Sequence, residues 1–418
     1  MSEWRDIKLK EVSEYVTVGF VGSMADQYVE TGVPFLRSLN IQPFRLNHND
    51  LKYIPESFHE AIKKSKLRPG DVAIVRTGYP GTACVIPADL PEANCSDLVI
   101  LRPGPELNPH YIAAVFNSSF GQSLVGGNLV GAAQQHFNVT VAKKLRLRLP
   151  PRAEQDKIAA VLVGLNDLIA NNQRRIAVLE SMAEEIYREW FVRMRAPVSD
   201  ASESPAQGEL TPLDELGSFL NGYAFDPTEL HEEGLPIIKI KELNAGVSTS
   251  TPRNTGEKIP DRYKFGDGDI IFSWSGSLVV QIWHQGPALL NQHLFKVTPA
   301  TDVPRVFLYF SIKFSIPIFE SLTTGATMQH IKRKELRFVK VRVPERDVMT
   351  AFDNLVSPLM DQAIQLKQIN TRLQAQRDTL LPRLISGKLS VDALDIQFPP
   401  SMLQQPSTEA AQPATISN

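Results

Sequence analysis

The stretch Leu145-Arg146-Leu147-Arg148-Leu149-Pro150 decides the fold, because it recurs 194 residues later as Val339-Lys340-Val341-Arg342-Val343-Pro344. In both copies an apolar residue alternates with a basic one, which is the pattern of a strand with one face in a core. A proline ends each copy, and a long run of apolar residues at helical spacing follows it. The sequence therefore predicts, twice in one chain, a strand that leads directly into a long helix.

Further matches follow in the same order along the chain. The matching pairs are Gly131-Ala132 with Gly325-Ala326, Gln135-His136 with Gln329-His330, Arg68–Ile74 with Gly266–Ile271, and Gly32–Leu36 with Gly234–Ile238. The offset changes only upstream, as it does when loops are inserted. An ordered series of this kind is not expected by chance, so we infer a tandem duplication.

The long helices carry a heptad seam. From Ile158 to Trp190, and again from Phe352 to Leu384, apolar residues recur at spacings of three and four, which is typical of helices that pack along one line. The predicted seam residues are Leu162, Leu165, Ile169, Ile176, Leu179, Ile186, Leu359, Leu366, Leu373 and Leu380. A helix of about 40 residues is roughly 60 Å long, so we expect the two to pack on each other.

The part of each copy before its helix consists of short runs rich in Val, Ile and Phe, broken by Gly, Pro, Asn and Asp. These runs predict strands joined by turns, with few helices. We therefore predict an α+β fold, a tandem duplication of a strand-rich domain plus a long helix, with the two helices forming an antiparallel coiled coil. The predicted divisions are a strand-rich domain at 1–150, a helix at 151–195, a linker at 196–208, a second strand-rich domain at 209–344, a helix at 345–390 and a disordered tail at 391–418.

Composition limits the function classes. The chain has 418 residues, and 44 Lys+Arg against 46 Asp+Glu give a formal net charge of −2, so any nucleic-acid binding must come from local basic surfaces. Two cysteines are too few for a disulfide framework or a cysteine-rich zinc site. The N-terminus lacks the apolar core of a signal peptide, and no run of 18 apolar residues occurs. We expect a cytoplasmic protein with no membrane contact.

Motifs of catalysis are missing from the sequence. It contains no Gly-x4-Gly-Lys-Ser/Thr loop, no Asp/Asn-Pro-Pro-Tyr/Phe tetrad of amino-methyltransferases and no His-Glu-x-x-His. Asp267 and Asp269 could hold a metal, but a turn into a strand is favoured because their counterpart Asp71 stands alone. Cys84 and Cys95 are predicted to be small buried residues. We expect no catalytic residue and no metal ligand.

Basic residues cluster at the same place in both copies. On an alternating strand they share one face, which suits contacts with phosphates, although a solvated strand face is the alternative. The candidates for contacts with a nucleic-acid backbone are Lys143, Lys144, Arg146, Arg148 and Gln135 in the first copy, and Lys332, Arg333, Lys334, Lys340, Arg342 and Gln329 in the second. Gln135 and Gln329 belong to the repeated Gln-His pair, which also suggests a structural role.

Reading a base edge requires paired donors and acceptors on loops. Residues of this kind follow the apolar runs of both copies, and a turn or surface role is the alternative for each. The candidates are Arg37, Asn40, Gln42, Arg45, Arg76, Thr77 and Tyr79 in the first copy, and Lys239, Lys241, Asn244, Ser273, Trp274, Ser275, Gln292 and His293 in the second. The copies agree in their core pattern and differ in these loops, as two readers of different sequences would.

Two strand-rich copies with a Pro-Gly-Asp-Val-Ala-Ile or Gly-Asp-Ile-Ile-Phe strand, each leading into a long helix, resemble the specificity subunit of a type I restriction-modification system. The most specific element is the junction from Leu149 to Gln155, with its Pro-Pro-x-x-Glu-Gln pattern. The second copy departs there, with one proline at Pro344 and Arg346-Asp347 in place of Glu154-Gln155. The resemblance covers residues 1 to about 390.

The resemblance implies that residues 1–150 and 209–344 are target-recognition domains, each reading one half of a split, asymmetric sequence in double-stranded DNA. It implies that the coiled coil fixes the gap between the halves and that this chain holds no cofactor. Two modification subunits would bring S-adenosylmethionine, and motor-nuclease restriction subunits would use ATP and magnesium. Two alternatives stay open: a system that only methylates, and a self-contained metal-dependent nuclease using Asp267 and Asp269.

Overall fold

The computed structural model describes residues 4–127, 136–197, 208–322 and 333–403. The chain divides into two compact units, which we call the first unit (Met1–Ile169 with Leu373–Asn418) and the second unit (Ala170–Arg372). Each unit combines one strand-rich head with a stretch of both long helices. Gln135, Gln329, Lys332 and the side chain of Arg333 lie outside the described residues, as do most of the predicted linker and the chain after residue 403.

The first head contains twelve strands within residues 4–127 and 136–150. They are β1 (Arg5–Lys8), β2 (Ser13–Val18), β3 (Val33–Leu36), β4 (Ile41–Gln42), β5 (Arg45–Leu46), β6 (Lys52–Ile54), β7 (Lys66–Leu67), β8 (Val72–Val75), β9 (Ala83–Val85), β10 (Ala93–Cys95), β11 (Leu98–Pro103) and β12 (Arg146–Leu149). The helices are α1 (Glu56–Ala61), α2 (Pro109–Asn117), α3 (Ser119–Gly127) and α4 (Val139–Lys144), followed by the long helix α5 (Arg152–Tyr187), which ends in a π-helical turn at Arg188–Val192.

Alternating side chains build the first head in layers. The strands pair as β2-β11-β8-β9, as β6-β3-β10-β7, and as the two-stranded pairs β1-β12 and β4-β5. On β8, Val72 and Ile74 join the cluster that includes residues of α5, whereas Ala73 and Val75 join the cluster with the other four-stranded sheet. The β2-β11-β8-β9 sheet is therefore buried on both faces, which explains why its strands are continuous apolar runs. Cys84 on β9 and Cys95 on β10 are fully buried in the cluster shared by the two sheets, as predicted.

The second head repeats this arrangement. Its strands are β13 (Glu209–Pro212), β14 (Gly217–Asn221), β15 (Leu235–Ile238), β16 (Arg253–Asn254), β17 (Lys264–Phe265), β18 (Ile270–Ser273), β19 (Val280–Ile282), β20 (Ala288–Leu290), β21 (Leu294–Pro299) and β22 (Lys340–Val343). The helices α6 (Ile240–Ala245) and α7 (Arg305–Leu322) belong to this head, and the long helix α8 (Arg346–Ile385) follows β22. Strands pair as β14-β21-β18-β19, β16-β15-β20-β17 and β13-β22, the same order as in the first head.

The heads differ in their loops and helices. After β3 the first head has the β4-β5 hairpin, whereas after the equivalent β15 the second head has α6. Among its described residues the second head has only the α-helices α6 and α7, but α7 is 18 residues long in a region where the sequence predicts strands and turns. Its sequence is rich in Phe and Ile, with Pro317 inside, so it reads as strand. Phe307, Phe310 and Phe319 are fully buried, and a helix that is apolar on most sides is stabilised by burial rather than by propensity.

The long helices run antiparallel within each unit. In the first unit Leu162 shares a core with Leu381 and Leu384, and Arg377 donates to Asn166 at 3.1 Å. The predicted coiled coil is therefore confirmed.

In the second unit Ile176 packs with Ala363 and Leu366, and the Nδ2 atom of Asn172 donates to Oδ1 of Asn370 at 2.9 Å. Residue numbers rise along one helix as they fall along the other, which defines the antiparallel direction. The ten predicted seam residues are all buried or half-buried.

The ends of the helices are fixed by particular contacts. The side chain of Gln155 is fully buried; its Oε1 accepts from the backbone N–H of Asn108, and its Nε2 donates to the carbonyls of Glu106 and Pro150. Nε1 of Trp4 donates to the Glu154 carboxylate at 3.1 Å. The Pro-Pro-x-x-Glu-Gln pattern therefore locks the start of α5 onto the first head.

The segment after α8 departs from the expected disorder. Gly387 stops the helix in the left-handed region at φ +70°, where the Trp4 ring would lie 3.2 Å from an added Cβ. Val391 is 2% exposed, and the carbonyl of Asp392 accepts from Nζ of Lys157 at 2.7 Å. A short helix, α9 (Pro400–Leu403), follows. Residues 391–403 thus pack on the first unit, because a few apolar side chains in a polar stretch are enough to anchor it.

Candidate nucleic-acid interface

Several strand ends of the first head meet at one edge. β3 and β10 are parallel, so they end together, and the N–H of Ser96 donates to the carbonyl of Leu36. The end of β8 lies beside the start of β11, where Val75 pairs with Leu98. We call this the first edge; its residues are Phe20, Val21, Arg37, Ser38, Arg76–Tyr79, Ser96, Asp97 and His136. Of the candidate base contacts, Arg37, Arg76, Thr77 and Tyr79 come together here.

A hydrogen-bond network centred on Asp97 organises the first edge. The hydroxyl of Thr77 donates to Oδ1 of Asp97 at 3.1 Å, and that of Ser38 donates to Oδ2 at 3.2 Å. Nδ1 of His136 lies 2.9 Å from the Thr77 hydroxyl, whose one hydrogen is committed to Asp97, so His136 is the donor. Sequence reasoning missed Ser38 and Asp97. The repeated Gln-His pair did signal His136.

The two arginines of the first edge are held in place. Arg37 donates to Oδ2 of Asp50 at 2.8 Å, and hydrogen bonds from Lys52 and then from Arg37 lower the pKa of Asp50 to about 2. Nε of Arg76 donates to the carbonyl of Phe137 at 3.3 Å. Fixed guanidinium groups suit bidentate recognition of a partner, since little rotamer freedom remains to be lost.

Three candidates of the first head lie on the loop beyond Ser38. Asn40 is fully buried; its Oδ1 accepts from the N–H of Arg37, and its Nδ2 donates to the carbonyls of Asn47 and Asn49. All of its polar side-chain atoms therefore shape the loop in this structure, and the base contact of Asn40 stays a prediction. Gln42 and Arg45 face each other on the β4-β5 hairpin, with Nε of Arg45 donating to Oε1 of Gln42 at 2.8 Å.

The second head has an equivalent edge, which we call the second edge. The ends of β15, β18 and β20 meet the start of β21 there, and the N–H of Asn291 donates to the carbonyl of Ile238. Its residues are Lys239, Trp274–Ser277 and Asn291–His293. The Trp274 ring lies 5.7 Å from the His293 ring, and Nε2 of Gln292 lies 3.4 Å from Nε2 of His293. Lys239 and Gln292 are exposed.

Not all candidates of the second head face solvent. Ser273 is fully buried, and its hydroxyl donates to the carbonyl of Ser277 and accepts from the N–H of Val279. Ser275 is buried as well. The contacts of Ser273 close the turn between β18 and β19, so in this structure neither serine presents its side chain to solvent, and their base contacts stay a prediction. Lys241 and Asn244 are exposed on α6, where the Asn244 amide donates to the carbonyl of Ile240.

The basic strands show the predicted alternation. On β12, Arg146 and Arg148 are exposed while Leu147 and Leu149 are buried. Asp6 on β1 pairs with Arg148 on β12, so the exposed face carries one acidic side chain among its basic side chains. The remaining candidates that the structure describes are Lys143, Lys144, Lys334 and Lys340, all exposed, and Arg342, half-buried with Nη1 donating to the carbonyl of Gly208 at 2.8 Å.

Asp267 and Asp269 are occupied by structural contacts. Asp267 accepts from the N–H of Gly286 at 2.7 Å and from Gln368 at 2.9 Å. Asp269 accepts from the N–H of Gly266 and lies 3.3 Å from Nζ of Lys296. These contacts support the turn interpretation over a metal-dependent nuclease.

One group among the described residues has the spacing of metal ligands: Glu56, His59 and Glu60. Glu60 pairs with Lys66, and Nδ1 of His59 lies 3.3 Å from the Asn94 amide nitrogen. Since an amide nitrogen only donates, Nδ1 is an acceptor and Nε2 carries the hydrogen, so His59 offers no free lone pair.

None of the helices that the structure describes combines the length and the apolar composition that a membrane span requires.

Comparison with known proteins agrees with this architecture. Residues 208–369 match the family model described as the type I restriction modification DNA specificity domain. The chain is 25% identical over 422 residues to the MjaIX type I restriction enzyme specificity subunit of Methanocaldococcus jannaschii, covering 94% of this chain and 95% of that protein. It is 20% identical to the HindI specificity subunit of Haemophilus influenzae, covering 93% and 100% of the two chains.

A solved structure shares the fold over both heads. The crystal structure of the type I restriction-modification S subunit from M. genitalium matches with a TM-score of 0.60 at 18% identity, covering 92% of this chain and 96% of that one. The fold of two strand-rich heads with long helices is thus shared with that structure. The chain is therefore similar, over its second head and part of α8, to the type I restriction modification DNA specificity domain, and over most of its length to type I restriction enzyme specificity subunits.

Proposed function

We propose that this chain is the DNA sequence-recognition subunit of a type I restriction-modification complex. Each head reads one half of a bipartite, asymmetric site through its edge. The observation that carries the proposal is the repeated edge: equivalent strand ends converge in both heads, and each presents a different set of polar side chains. A common backbone with different donors and acceptors is what reading two unlike half-sites requires.

The exposed basic residues supply the contacts that do not depend on sequence. Arg146 and Arg148 on β12, and Lys340 on β22, lie on the strands that lead into the long helices. Contacts of this kind with phosphates position a protein on DNA and weaken with salt. Only a few basic residues are needed for these contacts, so the proposed DNA binding does not require a positive net charge, and the formal net charge of the chain is −2.

The long helices set the gap between the two half-sites and dock the methyltransferase subunits in this proposal. Their seams, with Ile176 against Leu366 and Leu162 against Leu381, support a fixed spacer. The chain itself performs no chemistry. S-adenosylmethionine, ATP and magnesium act in the partner subunits, of which two are methyltransferases and the others are restriction subunits.

Exchanging one head tests the division of labour. Residues 1–150 are replaced by the first head of another specificity subunit, and the methylated site of the assembled complex is determined by methylation-sensitive sequencing. We expect one half of the site to change while the other half and the gap stay the same. Replacing residues 209–344 is the matched control and changes the opposite half. A change in both halves from one exchange would contradict the proposal.

The role of the helices is tested by removing one heptad from each. Residues 173–179 face 363–369 across the seam, so deleting both keeps the apolar residues in phase. Seven residues span about 10 Å, or about three base pairs of duplex. We expect a shorter gap between two unchanged half-sites. Deleting 173–179 alone is the control, since it misaligns the seam and destabilises the second unit.

A further inference from the structure

The first edge carries two apolar side chains that protrude among its polar groups. Tyr79 is 84% exposed, more than any other large hydrophobic side chain that the structure describes, and Val21 is 73% exposed. Val21 follows Phe20, which bridges to Ser96 on the same edge. Single exposed apolar residues are common on protein surfaces. The significance of Tyr79 comes from its turn and its surroundings.

The turn that carries Tyr79 is rigid. The N–H of Val75 donates to the carbonyl of Thr82, and that of Gly81 donates to the carbonyl of Val75. Gly81 has φ +91° and packs so closely on α3 that an added Cβ would lie 3.1 Å from Val125. Pro80 fixes the backbone between them. The ring therefore stands on a preformed support, and little backbone entropy is lost when it meets a partner.

The neighbours of Tyr79 point to the chemistry of that partner. Arg76 and Thr77 immediately precede the turn that carries Tyr79, and the Thr77–Asp97–His136 network lies on the same edge. A planar apolar ring beside hydrogen-bonding groups matches a nucleobase, which offers a flat face and a polar edge. A protein interface would instead surround the ring with further apolar side chains.

Among the residues that the structure describes, the second edge has no equivalent protrusion. Its β18-β19 turn contains Trp274, whose ring folds inward to lie 6.0 Å from the Phe295 ring. The exposed residues at the tip are Gly276 and Ser277, which carry no apolar surface to stack. The counterpart of Phe20 is Tyr223, whose ring packs on Phe225 and Tyr263. The two edges therefore differ in their exposed apolar side chains as well as in their hydrogen-bond donors and acceptors.

We propose that Tyr79 stacks its ring on a base of the half-site read by the first unit, at a base step that opens on binding, and that the second unit reads its half-site without such a contact. This inference rests on the proposed function. Base faces in a duplex are accessible only where a step is unstacked, which apolar side chains bring about in other DNA complexes. The first half-site is thus read partly by how easily it opens.

The test measures the affinity of the complex assembled from the full-length chain and its methyltransferase subunits for a duplex carrying the methylated site. Replacing an aromatic stacking residue by alanine costs roughly ten- to a hundredfold in affinity, so we expect that loss for Tyr79→Ala. Tyr79→Phe keeps the ring and stays within about threefold of wild type. Phe398→Ala, at an aromatic residue that is 42% exposed in the segment after α8 and belongs to neither edge, is the matched control and leaves the affinity unchanged.

Duplexes with single abasic sites locate the contact. Removing the stacked base weakens the wild-type complex, but it causes no further loss in Tyr79→Ala, because the ring and the base form one coupled pair. We expect this non-additivity at one position of the first half-site and at none of the second.

An equal loss in Tyr79→Phe would mean that the hydroxyl is read, and an unchanged affinity in Tyr79→Ala would mean no contact. A Tyr79→Ala complex that fails to assemble would assign the ring to a protein partner. Each of these outcomes overturns the stacking proposal alone. A wild-type complex that prefers no sequence would overturn the proposed function as well.

Discussion

The two heads share their strand order but join their long helices by different chemistry. In the first unit, Gln155 at the start of α5 makes three hydrogen bonds to the head, two of them buried. In the second unit, the constant offset of 194 residues places Met349, and not Asp347 as the sequence comparison had it, at the position of Gln155; Met349 is 5% exposed in an apolar cluster with Phe352. Phe352 in turn lies 4.9 Å from the Phe191 ring. The duplication thus kept the backbone and exchanged polar for apolar contacts at the junction.

Exchanging the two junction residues is expected to have the largest effect on stability among the differences between the two heads. Gln155→Met removes the partner of two buried backbone groups, the N–H of Asn108 and the carbonyl of Pro150, and Met349→Gln brings an amide into an apolar cluster. Each change is expected to lower the free energy of unfolding by about 1–3 kcal/mol. Urea unfolding of both variants measures the loss. Gln376→Met and Met182→Gln, at exposed positions on the same helices, are the controls and are expected to be nearly neutral.

If either junction exchange were neutral, the two junctions would be interchangeable and the difference between them would carry no energy. A loss confined to the affected unit would instead show that each head is locked to its helix independently.

The duplication and the seam could be predicted because they depend on periodicity. Leu162, Ile176 and Leu366 recur at heptad spacing, and the structure buries them. Local sequence pattern predicted secondary structure less well where burial overrides propensity. The sequence of α7 predicts a strand because Phe and Ile dominate it, yet it forms a helix. The tail from residue 391 is predicted to be disordered, yet Val391 is buried and anchors the start of it.

The site was predicted less well, for a physical reason. A polar residue that completes its own loop has the same composition as one that faces a ligand, so Asn40 and Ser273 could not be told apart from exposed neighbours. The Asp97 network joins residues from four separate segments of the sequence. Only the pairing of β3, β8, β10 and β11 brings those segments together, and no spacing along the chain reveals it.

The polar contacts along the seams give a second, smaller effect. In the second unit Asn172 and Asn370 form a buried pair, whereas in the first unit Asn166 is half-buried against Arg377. Asn172→Leu is expected to cost about 1–2 kcal/mol, since only the Asn370 amide loses this partner on burial. Replacing both asparagines by leucine is expected to recover most of that loss.

Asn166→Leu in the first unit is the comparison, with an expected cost below about 1 kcal/mol, because Arg377 keeps its contact with Asp378 and can reach water. Chemical denaturation of the three variants and the double variant completes the cycle. An additive double variant would mean that the two asparagines do not act as a pair.

The smallest effect concerns the acid sensitivity of the two units. Burial lowers the pKa of His110 in the first head from 6.5 to about 4. Burial, and then the nearby charge of Lys367, lower the pKa of His284 in the second head. Each folded imidazole stays neutral at a pH where the unfolded one binds a proton. Stability from these groups is therefore present above pH 6.5 and is lost as the pH falls toward the folded pKa.

Replacing each histidine by glutamine separates the two contributions. In His110→Gln the free energy of unfolding is expected to fall less steeply between pH 6.5 and about 4 than in wild type. His284→Gln is expected to show the same change to a smaller extent, because its imidazole is less completely withdrawn from water. Urea unfolding at three pH values in this window, with pH 7.5 as the common reference, gives the slopes. Slopes equal to that of wild type would mean that neither imidazole is kept neutral by its head, and the acid response would then belong to carboxylates such as Asp50, whose salt bridges fail only at lower pH.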